Sequence, residues 1–287
     1  MRNSGKYPVE MMCKVLKISK SGYYAWRKRP ESARSLENKA ITAQIQKFFA
    51  DSNGTYGSPR ITSDLNEAGT RVSRPRVARL MVKAHLRSRM KPKFVATTDS
   101  KHDHEISPNL LDRDFKPGRI NRAWVSDITY IHTAQGWLYL TIIMDLGDRK
   151  VIGWALSKSM HAVVTVVAAW RMALKNRGVC KGLIFHSDRG VQYSCSEFRE
   201  LIGKGGMVVQ SMSRKGNCWD NAVAESFFKS LKTEWLYGKT FKTRDEAEIE
   251  VFRYIEMWYN RKRKHSSLRY KSPDQLLQEQ CTNKEAA

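Results

Sequence analysis

The stretch that decides the fold is Trp124-Val125-Ser126-Asp127-Ile128-Thr129-Tyr130-Ile131, an apolar, β-branched run that contains one carboxylate. Such a run predicts a buried strand. An ionised carboxylate in an apolar strand costs free energy unless it is paired or binds a metal. Asp127 is therefore a candidate metal ligand.

Two more acidic residues occupy comparable positions. The apolar run at 182–187 ends on Asp188 and is followed by the loop residues Arg189 and Gly190, while Glu225 lies in an apolar-periodic stretch that predicts a helix. Two Mg²⁺ or Mn²⁺ ions roughly 3.5–4 Å apart can activate an oxygen nucleophile and stabilise the leaving oxygen at phosphorus. Because these hard ions prefer oxygen ligands, the three carboxylates predict a two-ion site.

Other candidate ligands are less favoured. Asp220 precedes a predicted helix, where a capping role is more economical, and Glu234 lies too far along the helix from Glu225 to share its site. Asp145, at a strand end beside a turn, is interpreted as structural. His186 shares a strand face with Asp188 and either supports that carboxylate or simply packs.

Composition indicates a polyanionic partner. The chain has 287 residues, 41% of them hydrophobic, with a net charge of +23 and a pI near 9.9. A folded, nucleic-acid-binding protein is expected. No apolar run reaches the ~20 residues of a membrane span and the first residues lack a signal-peptide pattern, so a cytoplasmic location is the expectation.

Cysteine and histidine patterns do not predict a zinc site. The five cysteines are scattered and form no Cys-x-x-Cys pair. His102 and His104 lack a matching pair nearby and are interpreted as linker histidines.

The N-terminal region, residues 1–93, is predicted to be a basic, helical, helix-turn-helix-like DNA-binding region. Residues 1–120 contain 25 Lys and Arg against 11 Asp and Glu, a difference of +14. Helices are predicted at 37–50 and at 60–68, and Ser73 can cap a third helix that tolerates Pro75 in its first turn. Residues 94–120 are predicted to be a linker with an apolar anchor at Leu110 and Leu111.

The third helix has two distinct faces. Its apolar residues follow helical spacing and should face the core. Cations fall on the opposite face, as a recognition helix in a DNA groove requires, although an ordinary solvated face has the same composition. The predicted DNA contacts on this helix are Arg74, Arg76, Arg79 and Lys83.

From residue 121 the pattern changes to strands. Strands are predicted at 124–132, 136–145, 150–157, 182–187 and 207–211, and helices at 162–176, 196–204 and 221–236. The order β-β-β-α-β-α-β-α is that of a ribonuclease-H-like α/β domain, in which the first and fourth strands are neighbours. The catalytic core is assigned to 121–240, with a C-terminal helix and basic tail at 241–287.

Several motifs resemble those of bacterial insertion-sequence transposases. They include Trp124-Val125-Ser126-Asp127-Ile128-Thr129-Tyr130, His186-Ser187-Asp188-Arg189-Gly190-Val191-Gln192-Tyr193, Asn217-Cys218-Trp219-Asp220-Asn221-Ala222 and Tyr259-Asn260-Arg261-Lys262-Arg263-Lys264-His265. Over nearly its whole length the chain resembles the second-frame (OrfB) product of the IS-three family, whose core is related to retroviral integrases. The family's acidic triad maps onto Asp127, Asp188 and Glu225. The 36 residues between the last two are one more than the family spacing.

The resemblance implies a transposase that nicks one strand at a transposon end with water and transfers the 3′ hydroxyl to another phosphodiester. Transposon-end and target DNA are the expected partners, and the chain is expected to act as a homo-oligomer on DNA. An upstream-frame OrfA protein, or a fusion to it, is a further expected partner. The expected location is the bacterial cytoplasm, in association with the nucleoid.

Further DNA contacts are predicted in the C-terminal half. Lys229 and Lys232 follow Glu225 at helical spacing and project from the same face, and retroviral integrases place lysines at like offsets against the DNA end. The basic segment Arg261, Lys262, Arg263 and Lys264 is predicted to grip the DNA backbone, with a solvated helix end as the alternative. Two other functions remain open, a metal-dependent nuclease without strand transfer and a non-catalytic DNA-binding regulator.

Overall fold

The computed structural model describes residues 7–89, 106–159, 161, 163–215 and 217–285. Two compact units divide the chain between Arg87 and Ser88, rather than at the predicted limit of 93. The predicted linker histidines His102 and His104 lie outside the described residues.

The first unit is helical. Its helices are α1 (Val9–Val15), α2 (Lys20–Lys28), α3 (Ala33–Asp51), α4 (Ser58–Glu67) and α5 (Arg74–Lys83). The three helices predicted from 37 onward are confirmed as α3, α4 and α5. Their apolar faces form a common core that contains Ile41, Ile45, Ile61, Leu65, Val77, Leu80 and Met81.

The start of α5 departs from expectation in one detail. Ser73 occupies the N-cap position, but its side chain makes no capping hydrogen bond, so the predicted cap was wrong. Pro75 stands in the first turn, where its missing N–H leaves no helical bond unmade. The proline's fixed φ, rather than a serine cap, therefore favours helix initiation here.

The second unit contains a five-stranded sheet in the order β3-β2-β1-β4-β5. The strands are β1 (Ala123–Thr133), β2 (Gly136–Asp145), β3 (Val151–Ser157), β4 (Leu183–Ser187) and β5 (Val208–Met212). β1 pairs antiparallel with β2 and parallel with β4. The predicted neighbourhood of the first and fourth strands is therefore confirmed.

Helices cover both faces of the sheet. They are α6 (Ala168–Asn176), α7 (Val191–Ser194), α8 (Ser196–Gly203), α9 (Ala222–Ser230), α10 (Arg244–Phe252) and α11 (Pro273–Glu285), with π-helical segments at Val163–Val167, Leu231–Leu236 and Arg253–Tyr259 and 3₁₀ turns at Cys218–Asn221 and Ser266–Leu268. Successive residues of a strand point to opposite faces. Accordingly Trp124 packs in a cluster with α6 and α8, while Val125 packs in one with α9 and α10.

The C-terminal region does not form a unit of its own. Phe241, Ala247, Val251 and Tyr254 are buried in the same cluster as strands β1 and β2. The compact unit thus continues past the predicted core limit of 240. Phe241, helix α10 and the π-helical segment that follows it supply part of the core on one face of the sheet.

Two close contacts fix the outer strand β3. A Cβ on Gly153 would lie 2.2 Å from the Ala169 carbonyl oxygen of α6, so only glycine allows the helix to approach this closely. At the start of β3, the Asn260 side chain donates to the Val151 carbonyl and accepts from the Val151 N–H, each at 3.0 Å. In the part of the chain that the structure describes, none of the helices has the length and apolar character needed to cross a membrane.

Candidate active site

The three predicted ligands lie on neighbouring elements of the second unit. In the parallel β1–β4 ladder Val125 pairs with His186. Asp127 and Asp188 each lie two residues farther along and therefore share one face. Helix α9 packs against β1 and carries Glu225 in its first turn.

The electrostatics show that these carboxylates interact. Burial raises the pKa of Asp127 well above its usual value, the charge of Asp188 adds to this, and the charge of Glu225 adds further. The Ile128 N–H, which donates to Asp127 Oδ1 at 2.8 Å, opposes the shift. Burial also raises the pKa of Glu225. In both cases the protein disfavours the charged form.

This donor set fits a pair of hard divalent cations. Carboxylate oxygens are the ligands that Mg²⁺ and Mn²⁺ prefer, and Mg²⁺ usually keeps several waters and takes only one or two protein carboxylates. Among the described residues, no three His, Cys, Asp or Glu side chains gather closely enough to enclose a metal ion. The positive charge of bound cations would offset the repulsion at Asp127.

Hydrogen bonds hold the elements of the site together. The Asn221 side chain donates to the Ser126 carbonyl at 3.0 Å, which fixes the residue before α9 beside the residue before Asp127. Ser126 Oγ lies 2.8 Å from the Tyr193 hydroxyl. Burial raises the pKa of Tyr193 well above its usual value, and the charges of Asp188 and Asp127 raise it further. Sequence patterns did not mark these supporting residues, because their role depends on partners more than sixty positions away.

His186 packs rather than supporting Asp188. The ring is fully buried, with Nδ1 2.9 Å from Ser211 Oγ and Nε2 3.2 Å from Ser213 Oγ. Burial lowers the pKa of His186 to about 4, so the imidazole is neutral near pH 7. Its hydrogen bonds join β4 to the end of β5.

Comparisons with known proteins identify the family of the chain. Family models described as "Integrase core domain" match residues 117–218 and 207–273, and one described as "HTH-like domain" matches 35–94. The chain is 37% identical over 277 residues to "Transposase InsF for insertion sequence IS3A" of Escherichia coli (strain K12), covering 96% of each chain. The chain belongs to the IS-three family of insertion-sequence transposases.

Two further similarities were found. A 42% identity over 262 residues relates the chain to "Insertion element IS600 uncharacterized 31 kDa protein" of Shigella sonnei, covering 91% of this chain and 96% of that one. A simian T-cell lymphotropic virus intasome chain, in complex with PP2A regulatory subunit B56 gamma, aligns with 14% identity and a TM-score of 0.46, covering 81% of this chain and 73% of that one.

Family membership establishes the general function. The protein is a polynucleotidyl transferase of DNA transposition and integration, with an integrase core and a helix-turn-helix-like domain. Its fold is the predicted ribonuclease-H-like α/β class, preceded by a small all-α unit.

The lysines of this transposase that follow Glu225 differ in setting. Lys232 Nζ lies 4.9 Å from the centroid of the Tyr130 ring, and burial lowers its pKa while the charge of Asp127 raises it. Lys229 is exposed. A π-helical segment begins at Leu231, so the regular α-helical spacing used in the prediction ends before Lys232. Lys232 nevertheless lies within electrostatic reach of Asp127.

Asp220 is a buried ion-pair centre rather than a helix cap. It accepts from Arg113 Nε at 2.8 Å and from Arg214 Nε at 2.9 Å, and Asn109 Nδ2 donates at 3.0 Å. The hydrogen bonds from Arg214 lower the pKa of Asp220 far below its usual value. The predicted capping role was wrong, because Asn221 occupies the N-cap position and the Asp220 carboxylate is bonded to Arg214, Arg113 and Asn109.

Two other acidic residues are also paired internally. Asp145 accepts from Arg177 at 2.7 Å, which agrees with its predicted structural role. Glu234 accepts from Arg263 at 2.6 Å, with both side chains almost fully buried. A neighbouring carboxylate raises the pKa of both Asp145 and Asp127, but Asp145 is bonded to a guanidinium, whereas the cation that opposes the shift of Asp127, Lys232, acts through its charge.

Two of the four basic residues predicted at 261–264 cannot act as surface DNA contacts. Arg263 is buried against Glu234 and Ser230, and Lys264 is 4% exposed. The prediction was wrong for both because their side chains turn into the protein. Arg261 and Lys262 are exposed.

On α5 the cations are also divided. Arg76 donates to both carboxylate oxygens of Glu37 and to Asn38 Oδ1, at 2.8–3.0 Å, and so joins α5 to α3. Its guanidinium is committed within the unit, which contradicts its predicted role at DNA. The other predicted contacts, Arg74, Arg79 and Lys83, are exposed.

Proposed function

We propose that this transposase cleaves one strand at each end of its insertion sequence and transfers the resulting 3′ hydroxyl to a second phosphodiester. Asp127, Asp188 and Glu225 would hold two Mg²⁺ or Mn²⁺ ions. The observation that carries the proposal is the placement of the three carboxylates on β1, directly after β4 and on α9, where burial first and then the charges of Asp188 and Glu225 raise the pKa of Asp127. Functional sites commonly retain such unfavourable arrangements because a ligand relieves them.

Each part of the site has a distinct task. Divalent ions, when bound, supply the charge that activates an oxygen nucleophile and stabilises a leaving oxygen. The Asn221 bond to the Ser126 carbonyl keeps Glu225 and Asp127 at fixed separation. Lys232, near Asp127, is placed to neutralise a DNA phosphate close to the reacting bond.

DNA would contact cations in both units, all of them exposed except the half-buried Lys232. The proposed contacts are Arg74, Arg79, Lys83, Lys229, Lys232, Arg261 and Lys262. Phosphate neutralisation by such residues supplies most sequence-independent affinity. Transposon-end and target DNA are the proposed partners, with assembly as a homo-oligomer on DNA and association with an upstream-frame OrfA protein. The proposed location is the bacterial cytoplasm, at the nucleoid.

The test uses the full chain, labelled transposon-end DNA and Mg²⁺. Wild-type protein should yield nicked strands with 3′ hydroxyls and then joined products, while Asp188→Asn should yield neither. Asp245→Asn, which changes an exposed aspartate of α10, is the matched control and should keep both activities.

Two outcomes would change the proposal. Cleavage without joined products would indicate a nuclease of the same fold. Undiminished cleavage by Asp188→Asn would contradict the carboxylate site in either enzyme.

A further inference from the structure

A tryptophan lies exposed on the turn that leads into the helix of Glu225. Trp219, in the 3₁₀ turn Cys218–Asn221, exposes 68% of its surface. Tryptophan is a large and mostly apolar side chain that normally buries much of its area. So much exposed aromatic surface contributes little to folding and calls for a different role.

The exposure is not the result of a loosely held turn. The two residues that follow Trp219 are both buried and bonded. Asp220 accepts from Arg113 and Arg214, and Asn221 donates to the Ser126 carbonyl at 3.0 Å. The backbone therefore holds the indole outward from an anchored base.

This anchored turn is joined to each element that carries a proposed catalytic carboxylate. The bond of Asn221 reaches the residue before Asp127. Arg189, the residue after Asp188, donates from Nε to the Ser213 carbonyl at 2.6 Å, at the beginning of the same connection. Helix α9, with Glu225, starts directly after the turn. Trp219 thus lies six residues before Glu225, on a turn that is bonded to the residue before Asp127.

Exposed cations are bonded to the residue after Trp219 or lie a few positions before it in the sequence. Arg113, Arg214 and Lys215 are exposed side chains of this region, and the acids that accept from Arg214 are Asp220 and Asp112. An aromatic face among exposed cations is the combination with which proteins bind unpaired nucleic acid, the cations holding phosphates while bases stack on the ring.

We propose that Trp219 is a stacking site for an unpaired nucleobase of the DNA strand at the cleavage point. This inference rests on the proposed function and adds the kind of DNA that the site prefers. Bases within a duplex already stack on their neighbours, so only a base that has left the helix can offer its face to the indole. The preferred ligand is a DNA end with unpaired terminal nucleotides rather than a fully paired end.

The experiment compares two DNA ligands without Mg²⁺, so that no cleavage occurs. One is a blunt duplex, and the other is the same duplex with a few unpaired terminal nucleotides that include 2-aminopurine. Wild-type protein should bind the unpaired end about 5- to 100-fold more tightly and change the 2-aminopurine emission, as expected for one stacked base. Trp219→Ala should lose both effects, and Trp219→Phe, which keeps an aromatic face, should retain most of the preference.

Control variants separate stacking from general damage. Phe252→Ala removes an aromatic side chain that is 48% exposed on α10, and should keep the preference for unpaired ends. The thermal unfolding of Trp219→Ala should match that of the wild type, because the indole is exposed. A preference that survives in Trp219→Ala, or an equal loss in Phe252→Ala, would overturn the inference.

The outcomes also distinguish this inference from the proposed function. Asp188-dependent cleavage and joining, combined with a preference unaffected at Trp219, would overturn the stacking site and leave the enzyme assignment standing. A Trp219-dependent preference in a protein that cleaves no DNA would support the stacking site and overturn strand transfer.

Discussion

Two groups of acidic side chains lie in the same sheet and are treated in opposite ways. Asp145 and Asp148 both bond to the guanidinium of Arg177 at 2.7 Å, whereas the charge of Asp188 adds to the burial penalty on Asp127. Burial raises the pKa of Asp145 as well and the charge of Asp148 adds to this, but Arg177 and two backbone N–H groups oppose that shift. Asp145 and Asp148 thus have a cation that the protein itself supplies. At Asp127 and Asp188 negative charges interact, and a bound cation would relieve their repulsion.

The difference indicates how an acidic residue with a structural role can be distinguished from one that is proposed to bind a metal ion. A buried charge is tolerated when a fixed cation accompanies it, as at Asp220 and Glu234. At Asp127 the charges of Asp188 and Glu225 disfavour ionisation and Lys232 opposes them through its charge, so a bound cation would relieve the remaining repulsion. Variants that lack the arginine of an ion pair, and unfolding measurements with and without Mg²⁺, test this contrast directly.

The largest effect is expected from removing the built-in cation beside Asp145. Arg177→Ala should lower the free energy of unfolding by about 3–5 kcal/mol, because two buried carboxylates lose their partner. Urea denaturation measures the change, and Arg171→Ala on the exposed face of α6 is the control, expected within about 0.5 kcal/mol of wild type. A loss of less than about 1 kcal/mol in the free energy of unfolding of Arg177→Ala would contradict a structural role for the pairs of Arg177 with Asp145 and Asp148.

A similar loss of stability should distinguish Arg263 from Arg261, which lies two residues earlier. Arg263→Ala should destabilise the protein by about 3–5 kcal/mol because Glu234 would remain buried without its arginine. Arg261→Ala should leave stability unchanged and reduce the slope of log affinity against log salt by about 1, as for one lost phosphate contact. Denaturation and DNA titrations at several salt concentrations measure both, and equal effects of the two variants would contradict the difference in burial.

The external cation should have the next largest effect. Mg²⁺ at about 100 times its dissociation constant should stabilise the wild type by roughly 2.7 kcal/mol. Asp188→Asn should show little of this increment, because it removes both a ligand and a charge. Thermal unfolding with and without Mg²⁺ provides the measurement, and an identical increment in both proteins would place the ion elsewhere.

The smallest effect concerns pH. An acid with a raised pKa binds its proton more tightly in the folded state, so its contribution favours folding at low pH and weakens as the pH rises through that pKa. Mg²⁺ needs the deprotonated form. The stabilisation of the folded protein by Mg²⁺ should therefore grow with pH. On acidification it should be lost at a pH well above about 4, where ordinary carboxylates titrate. Unfolding curves with and without Mg²⁺ across this range test the sign; an increment that persists to about pH 4 would contradict it.

Much of the sheet, and the placement of two candidate carboxylates on neighbouring strands, followed from local sequence. The run at 124–131 predicted β1 because it is apolar and β-branched, and the strand order placed Asp127 beside the residue that follows β4. Strand ends differed from the predictions by no more than one residue, a difference that arises because an end depends on hydrogen-bond partners rather than on side-chain pattern. The carboxylates at 127 and 188 were conspicuous in the sequence because a charge within or directly after an apolar strand needs a cation nearby.

The errors at Arg263 and Arg76 share one physical cause, which is a partner distant in the sequence. Arg263 and Lys264 belong to a basic run typical of a solvated tail, yet Glu234 lies 29 positions upstream of Arg263 and draws it inward. Arg76 pairs with Glu37, which is 39 positions away. Helical periodicity indicates which face of a helix is apolar. It does not indicate which charged side chain of another element will pair with a residue on the polar face.

The side chain of Asn260 has a consequence for the behaviour of the chain in solution. β3 is an outer strand of its sheet, and a bare outer strand offers backbone groups to which another molecule's strand can add. By bonding both polar groups of Val151, the amide of Asn260 imitates one residue of an adjoining strand. It thereby closes one end of that edge to intermolecular β-pairing, a safeguard against aggregation that a single side chain provides.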